Sequence, residues 1–394
     1  MDNHQAVIVG AARTPVGTFG GGLSGIPATK LGSIAIAEAL KRSGVPPSEV
    51  QEVIMGMVLQ GGVGQAPARQ AAIGAGIPNS ASALTINKVC SSGLKAVMLA
   101  EQLIRLGEYE VVVAGGMENM SLAPYFMPAA RNGLRLGHGQ ILDMMVNDGL
   151  WDVYGNVHMG SCAELCAREK NITREDQDAF AAESYKRAQK AILDGKFKRE
   201  IVPVEIPQKK GDPIVIDTDE EPGKGKVDRF PTLKPAFDKN GTVTAANASS
   251  INDGGSATVI TSRGYAKKKG LKILAGIIGQ ATYSQAPEWF TTAPAGAVDA
   301  LLKKVGWKKD EVDLFELNEA FSVVSIANNR LLGLDPAKVN IWGGAVAIGH
   351  PIGASGNRIL VTLIHALKDT KGKRGIAGLC NGGGEATALA IEIE

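Results

Sequence analysis

Two segments far apart in this chain repeat one another, and no other feature narrows its fold as much. "LKRSGVPPSEV" at 40–50 lines up with "LKKVGWKKDEV" at 302–312, and "SSGLKAVMLAEQLI" at 91–104 lines up with "ASGNRILVTLIHAL" at 354–367, at almost the same offset. Each copy reads as helix, short turn, strand, a variable stretch, then a glycine-bearing loop that opens a buried helix and leads to a strand. Such alternation predicts an α/β protein with mostly parallel sheets covered by helices. The expected halves are 1–119 with 247–271, and 272–394. Between them 120–246 has another texture, with the loop-like "SLAPYFMPAARNGLRLGHGQ", the helical "TREDQDAFAAESYKRAQKAILDGKF" and the Pro/Gly/Lys-rich "EEPGKGKVDRFPTLKPAF". It reads as an inserted loop domain, a place where substrate contacts collect.

Composition excludes several classes. A chain of 394 residues with 44% hydrophobic and 21% charged residues buries a large interior and is neither disordered nor fibrous. The net charge of +2 is spread among interspersed acids and bases, so nucleic acid is not an expected partner. No apolar run approaches the ~18 residues of a membrane span, and "MDNHQAVIVGAARTP" has no signal-peptide character, so the expected location is cytoplasmic. The four cysteines, Cys90, Cys162, Cys166 and Cys380, are too few and too scattered for a disulfide framework. Cys162 and Cys166 are four apart on one helix, but no second pair or histidine stands at metal spacing. "GGGLSG" at 20–25 matches G-x-G-x-x-G, yet it begins about ten residues after the strand and says nothing about dinucleotides.

Cys90 stands where the first buried helix begins. Free N–H groups and the positive end of a helix favour a thiolate, which suits an acyl-accepting nucleophile. A buried structural cysteine is the alternative. Three more stretches bear on the choice. "LFELNEAFSVV" reads as a strand ending in Asn318, Glu319 and Ala320. "GGAVAIGHPIGASG" puts His350 in the loop that opens the second buried helix. "GLCNGGGEA" ends the second copy's last strand with Cys380 and three glycines. Singly, each has a bland reading as turn amide, loop histidine or buried thiol. Together they put two thiols, an imidazole and an amide at the ends of equivalent elements, where open α/β folds build sites.

With those residues in hand, the chain resembles the thiolases from end to end. The matching motifs are "VIVGAARTPVGTFGG", "NKVCSSGLKAV", "NASSINDGGSA", "NEAF", "GHPIGASG" and "CNGGGEA". The resemblance implies the layered αβαβα thiolase fold and covalent acyl transfer. Cys90 would take an acetyl group from acetyl-CoA, His350 would accept its proton, and Cys380 would remove a proton from the methyl group of a second acetyl-CoA. The resulting carbanion would attack acetyl-Cys90 to give acetoacetyl-CoA and CoA, reversibly. His350 and a water held by Asn318 would bind the enolate oxygen. The N–H groups of Cys90 and Gly382 would bind the tetrahedral adduct.

"HMGSCAE" at 158–164 looks like the short-chain biosynthetic type, with His158 and Met159 against the acyl end, so acetyl-CoA C-acetyltransferase activity is expected. Ser249 would lie near the pantetheine, and Lys226 or Arg229 near the nucleotide phosphates. No cofactor is implied as a requirement. A potassium ion, as in similar acetoacetyl-CoA thiolases, would fall at Tyr185 and the carbonyls of Ala245, Ala246, Ala248 and Val346. The family implies a homotetramer. The rivals are a degradative 3-ketoacyl-CoA thiolase of longer chain specificity, a ketoacyl synthase, against which Cys380 argues, and a non-catalytic lipid-binding relative. His138 and His365 read as loop surface and helix face.

Overall fold

The computed structural model describes residues 3–394. In chain order the first half runs β1 (Ala6–Arg13), α1 (Ala28–Ser43), β2 (Glu52–Gly56), α2 (Pro67–Gly74), β3 (Ser82–Ile86), α3 (Ser92–Arg105) and β4 (Val111–Asn119). Two longer helices of the inserted region follow, α4 (Met159–Glu169) and α5 (Arg174–Leu193), before the chain returns as β5 (Asn252–Ser262). The second half runs β6 (Ala275–Ser284), α6 (Ala293–Val305), β7 (Leu314–Leu317), α7 (Ser322–Leu332), α8 (Ile352–Thr370), β8 (Arg374–Asn381) and β9 (Glu385–Ile393).

The apolar runs of the strands follow from burial on both faces. In β1, Ala6 and Ile8 pack with α3 and α8, while Val7 and Val9 pack with α1 and α2. In β4, Val112 and Ala114 face the first group, and Val111 and Val113 the second. Residues two apart share a face, so a strand between two helix layers must be apolar throughout. The second half does the same with Ala377 and Leu379 toward α8, and Ile376 toward α6. The layers are therefore α1 and α2, one half of the sheet, α3 with α8, the other half of the same sheet, and α6. This is the expected α/β layering.

Strand order is β7-β8-β9-β6-β1-β5-β4-β2-β3. The halves meet where β1 and β6 pair antiparallel, through Val7 with Gly276 and Ile8 with Ala275. Reading outward, each half gives its first strand, two antiparallel neighbours and then a parallel one. The position of β3 is reduced in the second half to one parallel bridge between Phe315 and Val339. The sheet is mixed rather than mostly parallel, because only β2–β3, β2–β4 and β7–β8 are parallel. The cause is local. The glycines 382–384 form a hairpin turn, so Cys380 lies near the end of the penultimate strand, and a strand returning through so short a turn can only be antiparallel.

Helix ends agree with the sequence. Gly107, at φ +76°, follows the end of α3. Thr173 caps α5, its hydroxyl accepting from Asp176 N at 3.1 Å. Helix α5 buries Tyr185 and Ala188 in the cluster that holds Val346 and Ala347, which seats the insert on the segment leading to His350. Among the described residues no helix is long and apolar enough to cross a membrane. Nor is any group of three or more His, Cys, Asp or Glu placed to hold a metal ion.

The central helices α3 and α8 cross where neither has a side chain. A Cβ on Gly93 would lie 2.8 Å from Asn357 N, and one on Gly356 would lie 2.4 Å from Leu94 N. These glycines occupy equivalent positions in the repeat. Gly356→Ala is expected to destabilise by about 1–3 kcal/mol or more, read from urea denaturation. Gly25→Ala, where an added Cβ meets nothing within 4 Å, is the control and should change stability by less than about 1 kcal/mol.

Candidate active site

Cys90 sits on a tight turn before α3. The preceding Val89 has φ +46°, a left-handed conformation that is costly for a β-branched residue. Four bonds hold it there. Val89 N donates to Asn87 Oδ1 at 2.8 Å, Ser91 N and Ser92 N return to Lys88 O and Val89 O at 3.0 and 3.1 Å, and Lys88 N donates to Ser92 Oγ at 2.8 Å. The turn sets Cys90 on the wall of a cavity of about 430 Å³. Its sulfur accepts from two backbone N–H groups, those of Gly382 and of Cys90 itself.

The thiol is nevertheless not a resting thiolate. Burial pushes it up to about 12, and the two N–H groups offset only part of that. The expectation that the helix start favours the thiolate is therefore corrected, because desolvation exceeds the helix-end and hydrogen-bond contributions. Cys380 is fully buried and its thiol is pushed up too, first by burial and then by the proximity of Cys90. It packs with the cavity-lining residues Met159, Ala248, Phe290, Ala320 and Phe321.

His350 lines the same cavity and is 5% exposed. Burial, with the Arg358 charge second, lowers its pKa to about 3, so the imidazole is neutral. Its tautomer follows from its neighbour. Ser355 Oγ donates to Pro351 O at 2.9 Å and lies 2.6 Å from His350 Nδ1. Having one proton, Ser355 must accept there, so Nδ1 carries the ring hydrogen and Nε2 is left as the base. Asn318 Nδ2 stands 3.5 and 3.4 Å from the two ring nitrogens, and its Oδ1 is buried without a partner among the described residues.

The remaining expected residues divide. His158, Met159 and Ser249 line the cavity. His158 caps α4, its Nδ1 accepting from Gly160 N at 3.0 Å, and stacks on Phe237 at 4.7 Å. Ser249 Oγ donates to Ala320 O at 2.8 Å. Lys226 and Arg229 do not line the cavity; they flank and enter the short helical segment Val227–Thr232, where Arg229 is exposed. His138 is exposed, whereas His365 is half-buried with its Nε2 unpartnered.

Comparison with known proteins agrees with this geometry. The model of the thiolase N-terminal domain matches residues 6–264, and that of the C-terminal domain matches residues 271–393. The chain belongs to the thiolase family. It is 55% identical over 395 residues to acetyl-CoA acetyltransferase 2 of Arabidopsis thaliana, covering 100% of this chain and 98% of the relative. To the acetyl-CoA acetyltransferase of Cupriavidus necator it is 54% identical over 389 residues, covering 98% and 99%. Two crystal structures, of Acat5 thiolase from Ascaris suum in complex with coenzyme A and of the Bacillus anthracis acetyl-CoA acetyltransferase, superpose with TM-scores of 0.95 and 0.97. Each is 44% identical and covers 99% of this chain, and 100% and 99% respectively of its own.

Sequence reasoning missed the residues that hold this thiolase site together. Glu118, at the end of β4, is fully buried and accepts from Val58 N, Leu59 N and Gly353 N at 3.0, 3.1 and 2.9 Å, tying the first half to the start of α8. Burial raises its pKa to about 7. Asn252 Oδ1 accepts from His350 N at 2.8 Å, and Asn252 Nδ2 donates to Gly17 O at 2.9 Å. The available signal was polarity out of place, an acid one residue beyond "VVVAGG", after Met117. Because the resting Cys90 is a thiol, its alkylation by iodoacetamide in the ligand-free protein should accelerate about tenfold per pH unit from 7 to 9. A plateau below pH 8, in rates followed by mass spectrometry of the Cys90 peptide, would contradict a buried neutral thiol.

Proposed function

We propose that this thiolase is an acetyl-CoA C-acetyltransferase that condenses two acetyl-CoA to acetoacetyl-CoA and CoA, reversibly, through acetyl-Cys90. One observation carries the reading: a nucleophilic sulfur, two N–H groups aimed at it and a neutral imidazole share one largely apolar cavity, with a second thiol beside the first. Relatives named acetyl-CoA acetyltransferase over the whole chain support the substrate.

In the first half-reaction Cys90 gives its proton to His350 Nε2 as sulfur attacks the thioester carbonyl. The oxyanion forms where the N–H groups of Cys90 and Gly382 converge. As the adduct collapses, the departing CoA thiolate takes a proton from Cys380 and leaves acetyl-Cys90. The second acetyl-CoA loses a methyl proton to the Cys380 thiolate, its enolate oxygen facing His350 and Asn318. Attack on acetyl-Cys90 forms the new carbon–carbon bond, and His350 returns its proton to Cys90. With all three groups neutral at rest, charge appears only after substrate has filled the cavity and excluded water.

Met159, Phe290 and Phe321 pack together in the cavity wall, which favours a short acyl group over the long chain of a degradative thiolase. His158 and Ser249 would contact the acyl and pantetheine portions, and Lys226 and Arg229 the phosphates. We read 1–119 with 247–271 and 272–394 as the two halves around the 120–246 insert. A potassium site is supported by Tyr185, a buried phenol facing the Glu221 charge without a hydrogen bond among the described residues. The carbonyls of Ala245, Ala246 and Ala248 likewise accept no hydrogen bond, and Val346 packs in the same cluster as Tyr185. A tetramer is supported by the exposed apolar side chains Tyr125, Leu136 and Ile141 of the insert, and a monomer mass by light scattering would remove it. A cytoplasmic location is our reading, although one relative is named as mitochondrial.

Incubation with radiolabelled acetyl-CoA is expected to trap label on wild type and none on Cys90→Ala. Thiolysis of acetoacetyl-CoA should exceed that of a C10 ketoacyl-CoA by at least about tenfold, the discrimination a closed apolar pocket supplies. Equal label on Cys90→Ala, or a preference for C10, would overturn the reading. Equal initial rates in sodium and potassium buffers would dispose of the potassium site alone.

A further inference from the structure

We propose that Ser91 and Asn381 are positioning residues that hold the Gly382 N–H against Cys90 across the seam between the two halves. The inference rests on the acyl-transfer reading above, in which that N–H binds the oxyanion. Ser91 follows Cys90 in the chain, and Asn381 lies between Cys380 and Gly382. Both side chains are sealed from solvent, Ser91 at 0% and Asn381 at 1% exposure. Neither takes part in a proton transfer or touches the cavity.

Their bonds run from one catalytic loop to the other. Ser91 Oγ donates to Asn381 Oδ1 at 2.8 Å and accepts from Thr387 Oγ1 at 3.1 Å. Asn381 Nδ2 donates to Gly382 O at 2.9 Å and to Glu385 Oε2 at 3.3 Å. Glu385 Oε2 in turn accepts from Lys88 Nζ at 2.5 Å, back in the Cys90 turn. The amide orientation is forced. Gly382 O and Glu385 Oε2 are acceptors only, so the nitrogen must face them and the oxygen must face Ser91. The single Ser91 proton is thereby committed to Asn381.

The loop needs such a brace. Gly383 and Gly384 have φ of +90° and +81°, and the three glycines have no side chain with which to anchor themselves. The nearest atoms to a Cβ on Gly382 would be Met159 Sδ at 3.5 Å and Val89 Cγ1 at 3.7 Å, so packing restrains it little. An oxyanion donor acts only if it is held in place before charge develops. The Asn381 amide, bonded to Gly382 O and to the residue after the nucleophile, fixes that distance between segments 290 positions apart in the chain.

The test compares two reactions of one sulfur. Acetylation by acetyl-CoA builds an oxyanion, whereas alkylation by iodoacetamide displaces iodide at a saturated carbon and builds none. In Asn381→Ala and in Ser91→Ala, the single-turnover rate of Cys90 acetylation is expected to fall about 10- to 100-fold, the cost of a reacting group displaced by up to about 1 Å. Alkylation loses the Gly382 N–H bond to the sulfur but builds no oxyanion, so it should fall several-fold less than acetylation. The double variant should be little worse than the poorer single variant, because both cut one chain of bonds. Ser91→Thr keeps the hydroxyl and should recover most of the rate. Should either alanine variant fail to fold, Asn381→Asp, nearly isosteric, still removes the donor to Gly382 O and should show the same selective loss. Variants that acetylate within about threefold of an active wild type, or that lose acetylation and alkylation by the same factor, overturn the inference and leave the acyl-transfer reading standing. A wild type that takes up no acetyl group overturns both.

Discussion

The close crossing of α3 and α8 is the constraint on which the rest of this thiolase depends. Backbone meets backbone there, at Gly93 against Asn357 and at Gly356 against Leu94, and only residues without a Cβ allow that approach. Each helix is preceded by one half of the chemistry, Cys90 before α3 and His350 before α8. Bringing the helix starts together therefore brings Cys90 and His350 to one cavity. The same crossing buries most residues of both helices between the two halves of the sheet.

That placement has an electrostatic cost, and it determines how the site rests. A sulfur at the start of a helix gains from the free N–H groups, yet here it is buried so deeply that the neutral thiol wins, and burial likewise keeps His350 neutral. A cavity holding an unpaired thiolate and an imidazolium would pay for both charges in a low dielectric. The polar groups nearby therefore act mostly as braces. Glu118, Asn252 and Ser355 fix the His350 loop, and Ser91 with Asn381 joins the Cys90 turn to the glycine hairpin.

The repeat supplies two similar halves, but the site is not itself symmetric. The first half contributes Cys90 from a turn before its central helix. The second contributes His350 from the equivalent place, and also Cys380 and Gly382 from the strand and hairpin that follow. The insert closes the cavity with His158 and Met159 at the start of α4, and the returning first half adds Ser249 beside Ala320. Helix α5 presses on the segment before His350, so the insert supports that loop as well as lining the cavity.

Much of this was legible in the sequence. The duplicated pattern gave the α/β layers and the central helices, because a helix or strand buried on all sides must be apolar in any arrangement. The motifs around Cys90, Asn318, His350 and Cys380 marked the chemistry, because each puts a reactive side chain at an element's end. What the sequence did not contain was strand direction, the ionisation of the thiols and the identity of the braces. Direction was decided by where the chain re-enters after the insert and by the three-glycine turn. Ionisation was decided by depth of burial, and the braces by contacts between residues more than two hundred positions apart, such as Ser91 with Asn381 and Glu118 with Gly353. Local pattern reports what a residue prefers, and only packing brings distant residues into contact and sets how much water each one keeps.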